Sequence, residues 1–140
     1  MSDIDTRYPT RQLCEFLARF TLADVPSPVV ERTKDLFLDW IASAIAGKDA
    51  PAVRRIQEFA AAMGPATGQA EVFVDRRRTS PYFAALINGA SSHVVEQDDV
   101  HNGSVLHPAA VVFPAVVAAA QAEGKTGAEV LLASIAGYEA

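Results

Sequence analysis

The stretch SPVVERTKDLFLDWIASAIAG, running from Ser27 to Gly47, decides the fold class. Ser27 is a helix cap. Pro28 follows it at the first helical position, where proline's missing N–H leaves no bond unmade. Val29, Thr33, Leu36, Phe37, Trp40, Ile41 and Ala44 then recur at helical spacing and form one stripe. Gly47 is a natural stop.

Signals of the same kind run outward in both directions. Upstream, Thr10 caps a helix whose face carries Leu13, Phe16, Leu17 and Phe20. Downstream, Asp49 opens a third helix with Val53, Ile56, Phe59 and Met63 on one face and Gly64 after it. Ser80-Pro81 repeats the cap-and-proline signal before a helix through Ala84, Ile87 and Val94. Asn88-Gly89 lies inside that helix, where glycine costs about 1 kcal/mol against alanine. Close backbone packing is expected there, with a local helix break as the alternative. Pro108 opens the next helical segment, and Pro114 either kinks it or marks its true start. Thr126-Gly-Ala-Glu129 is a capping box before a helix with Leu131, Ile135 and Tyr138 on one face and Ser134 beside them. Only Glu71-Val72-Phe73-Val74 reads as a strand. The expected fold is an all-α helical bundle with at most one short strand, in one domain over residues 1–140. The last apolar stripe still runs at Ala140, so the helical domain is expected to be incomplete.

Half of the residues are hydrophobic and 21% are charged, which suits a packed core and excludes a disordered chain. The net charge of −5 repels phosphate backbones, so nucleic acid is not an expected partner. Arg76-Arg77-Arg78 is the one basic cluster and reads as a solvated loop, an anion-attracting rim being the sharper alternative. The single cysteine, Cys14, excludes an intrachain disulfide and is expected to be a buried, inert thiol. MSDIDTRYPT lacks the basic start and apolar run of a signal peptide. Ala109 to Ala120 is too short to span a bilayer and contains Pro114. A soluble protein of the cytoplasm, with no membrane partner, is the expectation.

All three histidines crowd into His93-Val-Val-Glu96-Gln-Asp98-Asp99-Val-His101-Asn-Gly103-Ser104-Val-Leu-His107-Pro108. Imidazole and carboxylate together serve metal binding or general acid–base chemistry. The spacing matches no compact metal motif, so no metal is expected. Acid–base work fits better: one histidine takes a proton and another gives one, with an aspartate orienting a ring. His107-Pro108 stands where a helix begins, and a helix start attracts a substrate carboxylate. Gly103 permits close backbone approach and Ser104 adds a hydroxyl. The bland alternative for Asp98 and Asp99 is that they only cap loop N–H groups.

The run Ala84-Ala-Leu-Ile-Asn88-Gly89-Ala90, His93, Asp98-Asp99-Val100-His101, Ser104 and His107-Pro108 resembles the signature of the MmgE/PrpD family. Asp39 to Gly47 resembles an earlier helix motif of that family, and Ile135 to Glu139 a later one. The resemblance implies a large all-helical domain beside a smaller α/β lid domain, the lid being absent from this chain. It implies cofactor-independent lyase chemistry on a small di- or tricarboxylate, in enzymes that are commonly homodimers. Members include 2-methylcitrate dehydratase, cis-aconitate decarboxylase and iminodisuccinate epimerase. Carried over, the resemblance makes residues 1–140 the N-terminal portion of that helical domain and places Asp98, Asp99 and His107 at its active site. With the acid–base reading of the loop, the catalytic candidates are His107, the first choice for proton transfer, Asp98, Asp99 and His101, the second acid–base group. Ser104, Gly103, Glu96 and His93 are the substrate-binding ones. In the decarboxylase an aspartate precedes the Asp-Asp pair and a threonine follows it. Here those places hold Glu96 and Val100, which favours a dehydratase. The alternatives are an epimerase or decarboxylase on the same scaffold, or a non-catalytic subunit. The chain alone is expected to be inactive and to associate with a second copy or with the rest of the enzyme.

Overall fold

The computed structural model describes residues 8–140; the first part of the stretch read as lacking a signal peptide lies outside them. Helices α1 (Pro9–Arg19), α2 (Ser27–Gly47) and α3 (Pro51–Met63) come first, with one 3-10 turn, Leu22–Asp24, between α1 and α2. Strands β1 (Ala70–Glu71) and β2 (Arg78–Thr79) follow, then α4 (Pro81–His93), α5 (Pro108–Glu123) and α6 (Gly127–Glu139). The all-helical expectation holds. The strand-like run contributes only Glu71 to β1, which pairs antiparallel with β2 to make a two-residue ladder.

Most start signals act one or two positions from where the sequence placed them. Tyr8, Pro26 and Ala50 occupy the cap positions of α1, α2 and α3, and each helix has proline within its first two residues. Thr10 and Ser27 lie inside their helices, and Asp49 lies just outside α3. The common reason is that proline's fixed φ starts the helix without a side-chain cap. Two side-chain caps form as expected. Ser80 accepts from the Phe83 amide, and Thr126 and Glu129 bond each other's backbone N–H. A second capping box, Thr21 with Asp24, sets the 3-10 turn.

Helix α4 is the hub, packed against α2, α3, α5 and both strands. On one side Val53, Ala60, Ala70, Val72, Ala84, Ile87 and Ala118 form a core. On the other, Trp40, Ala109, Phe113 and Val117 form a second, with Phe37, Phe73 and Tyr138 against it. Phe37, Phe73 and Phe113 ring Trp40 with centroids 5.3–5.7 Å apart in successive pairs, within the range where edge and offset contacts add to burial.

Asn88 explains its own place in a helix. Its side chain is buried, donates to the Glu71 carbonyl at 2.9 Å and accepts from the Phe73 amide at 2.9 Å. One amide thus completes the edge of the hairpin against α4. Gly89 answers the packing expectation: a Cβ there would sit 3.0 Å from the Ala110 carbonyl oxygen. That carbonyl is four residues before Pro114, which supplies no N–H to it. Helix α5 therefore runs on past Pro114, and α4 lies close against the turn where the bond is missing.

One expectation fails in α1. Cys14 is exposed, not buried, and α1 buries none of its residues. The stripe is present, but Phe16 and Leu17 remain on the surface. The arginine run is solvent-exposed, partly loop as expected, but Arg78 lies in β2, and all three side chains are engaged. Arg76 pairs with Glu71, Arg77 with Asp75, and Arg78 donates to the Gly68 and Gln69 carbonyls.

Gly47 tests this packing. A Cβ on it would overlap the Ser91 carbonyl of α4. Gly47→Ala should destabilise the protein by about 1–3 kcal/mol, the usual penalty of overpacking. Gly127→Ala, with nothing within 4 Å, should be neutral or stabilising by up to about 1 kcal/mol. Thermal melting of the two variants reads the contrast.

Candidate active site

Helix α4 ends at His93, and α5 begins just after His107, so the loop between them starts and ends on an imidazole. The turn out of α4 closes with a bond from the Glu96 amide to the His93 carbonyl at 2.9 Å. Glu96 adopts a left-handed backbone with φ 50° and is exposed. It therefore does not share a helix face with His93. A tight turn follows from His101 to Leu106, held by the bond from the His101 amide to the Leu106 carbonyl at 2.7 Å. Val105, at the end of that turn, has φ 54°, a strained conformation for a β-branched residue.

Asp98 is the buried centre of the loop. Its side chain has no exposed surface. The His93 Nδ1 lies 3.2 Å from its Oδ2, and the His107 Nδ1 lies 3.4 Å from its Oδ1. The two rings meet edge to face with centroids 4.7 Å apart. His107 Nδ1 is buried and makes no well-aligned hydrogen bond. A buried carboxylate needs donors, and an Nδ1–H tautomer on a neighbouring ring supplies one. That tautomer leaves Nε2, on the opposite edge of the ring, as the proton acceptor. About a quarter of the His107 side chain is exposed, and since Nδ1 is buried this exposure falls on the rest of the ring.

Both rings border an open cleft of about 600 Å³ between α4 and α5. Ala85, Leu86, Ala90, Val111 and Pro114 give it largely apolar walls, and Val105 and Leu106 stand at its side.

Asp99 does something different. Its Oδ1 accepts from the Ala109 amide, at the first turn of α5, at 2.8 Å, and its Oδ2 accepts from the Tyr138 hydroxyl at 2.8 Å. At the helix start that was expected to seat a substrate carboxylate, Pro108 has no N–H and the Ala109 amide is bound by a carboxylate of the chain. His101 and Ser104 pair with each other at 2.8 Å, both exposed, and Gly103 packs beside the His101 ring. Of the eight sequence candidates, the structure brings His93, Asp98 and His107 together. It puts Asp99 under α5, His101, Gly103 and Ser104 in the exposed turn, and Glu96 in another.

Tyr138 is the residue that sequence reasoning placed only on an apolar face. Thirty-nine positions separate it from Asp99, and no spacing rule reaches that far. Burial, then the hydrogen bond to Asp99 and its charge, push the Tyr138 hydroxyl well above its ordinary pKa of 10.0. A phenol whose pKa is raised on folding stabilises the fold fully below its unfolded pKa. It loses that contribution as pH rises above it. Tyr138→Phe should lower stability at neutral pH by about 1.5–3 kcal/mol, the range for a bond to a charged group. It should also flatten the fall in stability above pH 10. Denaturant melts across pH measure both.

The MmgE/PrpD N-terminal domain family matches residues 11–140. A cis-aconitate decarboxylase-like protein of Aspergillus oryzae is 33% identical over 141 residues, which cover 93% of this chain and 28% of that protein. A cis-aconitate decarboxylase of Aspergillus terreus is 36% identical over 135 residues, covering 93% of this chain and 27% of that protein. The chain spans little more than a quarter of the length of these relatives.

Proposed function

Because this chain belongs to the MmgE/PrpD family, we propose that it is the N-terminal helical portion of a lyase that uses side-chain acid–base chemistry on a small di- or tricarboxylate. The observation that carries the reading is Asp98, fully buried against the Nδ1 atoms of two imidazoles that border one cleft. His107 transfers the proton. Asp98 holds its ring and faces the positive charge the ring carries once it has accepted a proton. His93 is the second imidazole on the same carboxylate.

Decarboxylation is favoured over loss of water. Both relatives named above are cis-aconitate decarboxylases or decarboxylase-like, which supports the alternative rather than the dehydratase reading. The cleft adds a physical reason. Losing CO2 disperses a carboxylate's charge, and apolar walls such as Leu86, Val111 and Pro114 solvate the dispersed charge better than the localised one. His107 first takes a proton from water on Nε2 and becomes an imidazolium. The carbon–carboxylate bond then breaks, its electron pair passes to the adjacent carbon, and the imidazolium Nε2–H protonates that carbon and returns to the neutral ring. Epimerisation and dehydration need the same proton beside a carboxylate, and only the products separate them. Val105, Leu106 and Val111 are exposed apolar residues at the cleft. They support its closure by a second copy or by a further part of the enzyme.

His107→Ala in the full-length enzyme should lower kcat by about 10²–10⁴-fold, the usual range for general acid–base catalysis. Near-normal turnover would remove His107 from this role. A panel of di- and tricarboxylates, assayed for CO2, for unsaturated product and for inverted stereochemistry, should yield CO2. The 140-residue chain alone should not turn over.

A further inference from the structure

We propose that His93, Asp98 and His107 form a binding site for a divalent transition ion of the zinc class, and that occupation of this site inhibits the enzyme. The site stands on geometry alone; the inhibition rests on the acid–base reading above. One donor atom from each residue lies within 4.8 Å of the others. Zinc bonds to nitrogen and oxygen are about 2.0–2.1 Å long, which puts tetrahedral ligand pairs about 3.3–3.4 Å apart. From the one oxygen Asp98 Oδ1, the separations of 3.3 Å to His93 Nδ1 and 3.4 Å to His107 Nδ1 match two of those edges.

Chemistry and burial point the same way. Two imidazoles and a carboxylate are a borderline donor set, suited to zinc or cobalt and not to calcium or magnesium. Asp98 has no exposed surface, so a cation held there keeps its attraction unscreened by water. His107 Nδ1, buried without a hydrogen bond, gains a partner. Three protein ligands leave the fourth position open. Among the described residues this is the one such cluster of three.

Ligation changes the tautomer. A metal takes the Nδ1 lone pair, so the ring proton moves to Nε2. With the metal on Nδ1 and a proton on Nε2, the His107 ring has no lone pair left to take the second proton that makes it the imidazolium acid of the step above. Metal binding and proton transfer by His107 therefore exclude each other.

The test is titration of the metal-free, full-length protein with cobalt(II), read by its visible absorption. The expected result is one equivalent bound, with the intense bands of a four-coordinate ion, displaced by zinc. His93→Ala should weaken binding by at least about 100-fold. The residue is half exposed, so folding should survive, as far-UV circular dichroism will check. His101→Ala, in the exposed turn, should bind as the parent does. Absence of the bands, or equal binding by His93→Ala, overturns the site, as does equal weakening by His101→Ala. Loss of turnover in His107→Ala without cobalt binding by the parent overturns the metal site and leaves the acid–base reading standing. Zinc that binds without slowing turnover overturns the inhibition.

Discussion

One carboxylate, Asp99, holds three parts of the chain in a single arrangement. Its two oxygens take the first available amide of α5 and the hydroxyl at the end of α6. The loop between α4 and α5 has no hydrophobic period and no ladder of its own beyond one bridge, His101 with Leu106. Asp99 ties its middle to α5 and α6, as Asp98 ties it to His93 at the end of α4. Bonds from a charged acceptor to buried donors are among the stronger polar contacts. The consequence reaches the neighbouring residue. With Asp99 drawn under α5, Asp98 is left between the two imidazoles that close the loop at either end. Two adjacent aspartates thus divide the work, one fixing the backbone and the other facing the rings.

The helices that frame the cleft are brought close by small residues. Gly47 lets α2 reach the Ser91 carbonyl of α4, and Gly89 lets α4 reach the Ala110 carbonyl of α5. Pro114 leaves that second carbonyl without its intrahelical donor, so a flaw in one helix coincides with the closest approach of the other. Larger side chains would push the helices apart and widen the space between His93 and His107. Ser91, Ser92 and Ser134 keep the packed faces thin. Each returns its hydroxyl to a carbonyl of its own helix, so it is buried without needing a partner elsewhere.

Local order was legible in the sequence. Periodicity, proline and the Thr126 capping box located the helices to within about two residues, because those signals act through bonds inside one turn. What could not be read was long-range. Asn88 looked like a helix defect until the hairpin edge it completes was known, and that edge is fifteen to seventeen positions away. Cys14 looked buried because its helix is amphipathic, yet a stripe says only which side is apolar, not whether anything covers it. In the candidate site the density of histidine and carboxylate marked the segment that joins α4 to α5. It did not distinguish Asp98 from Asp99, since a loop without a period carries no rule for where a side chain points.

The same limit explains why the substitutions at Glu96 and Val100 drew the reading toward a dehydratase. Both are exposed in this loop, and Glu96 lies in a left-handed turn. The features that bear on the reaction are instead the buried carboxylate, the two rings and the apolar walls, which come from α4, the loop and α5 together. A proton shuttle needs little more than an oriented imidazole, so this part of the site is compatible with several eliminations. Selection among them depends on how the walls treat charge. A leaving hydroxide gains negative charge as it departs and calls for polar donors, whereas departing CO2 carries none. The alanine, leucine, valine and proline of the cleft therefore support the proposed loss of CO2, with His93 and His107 as its polar groups.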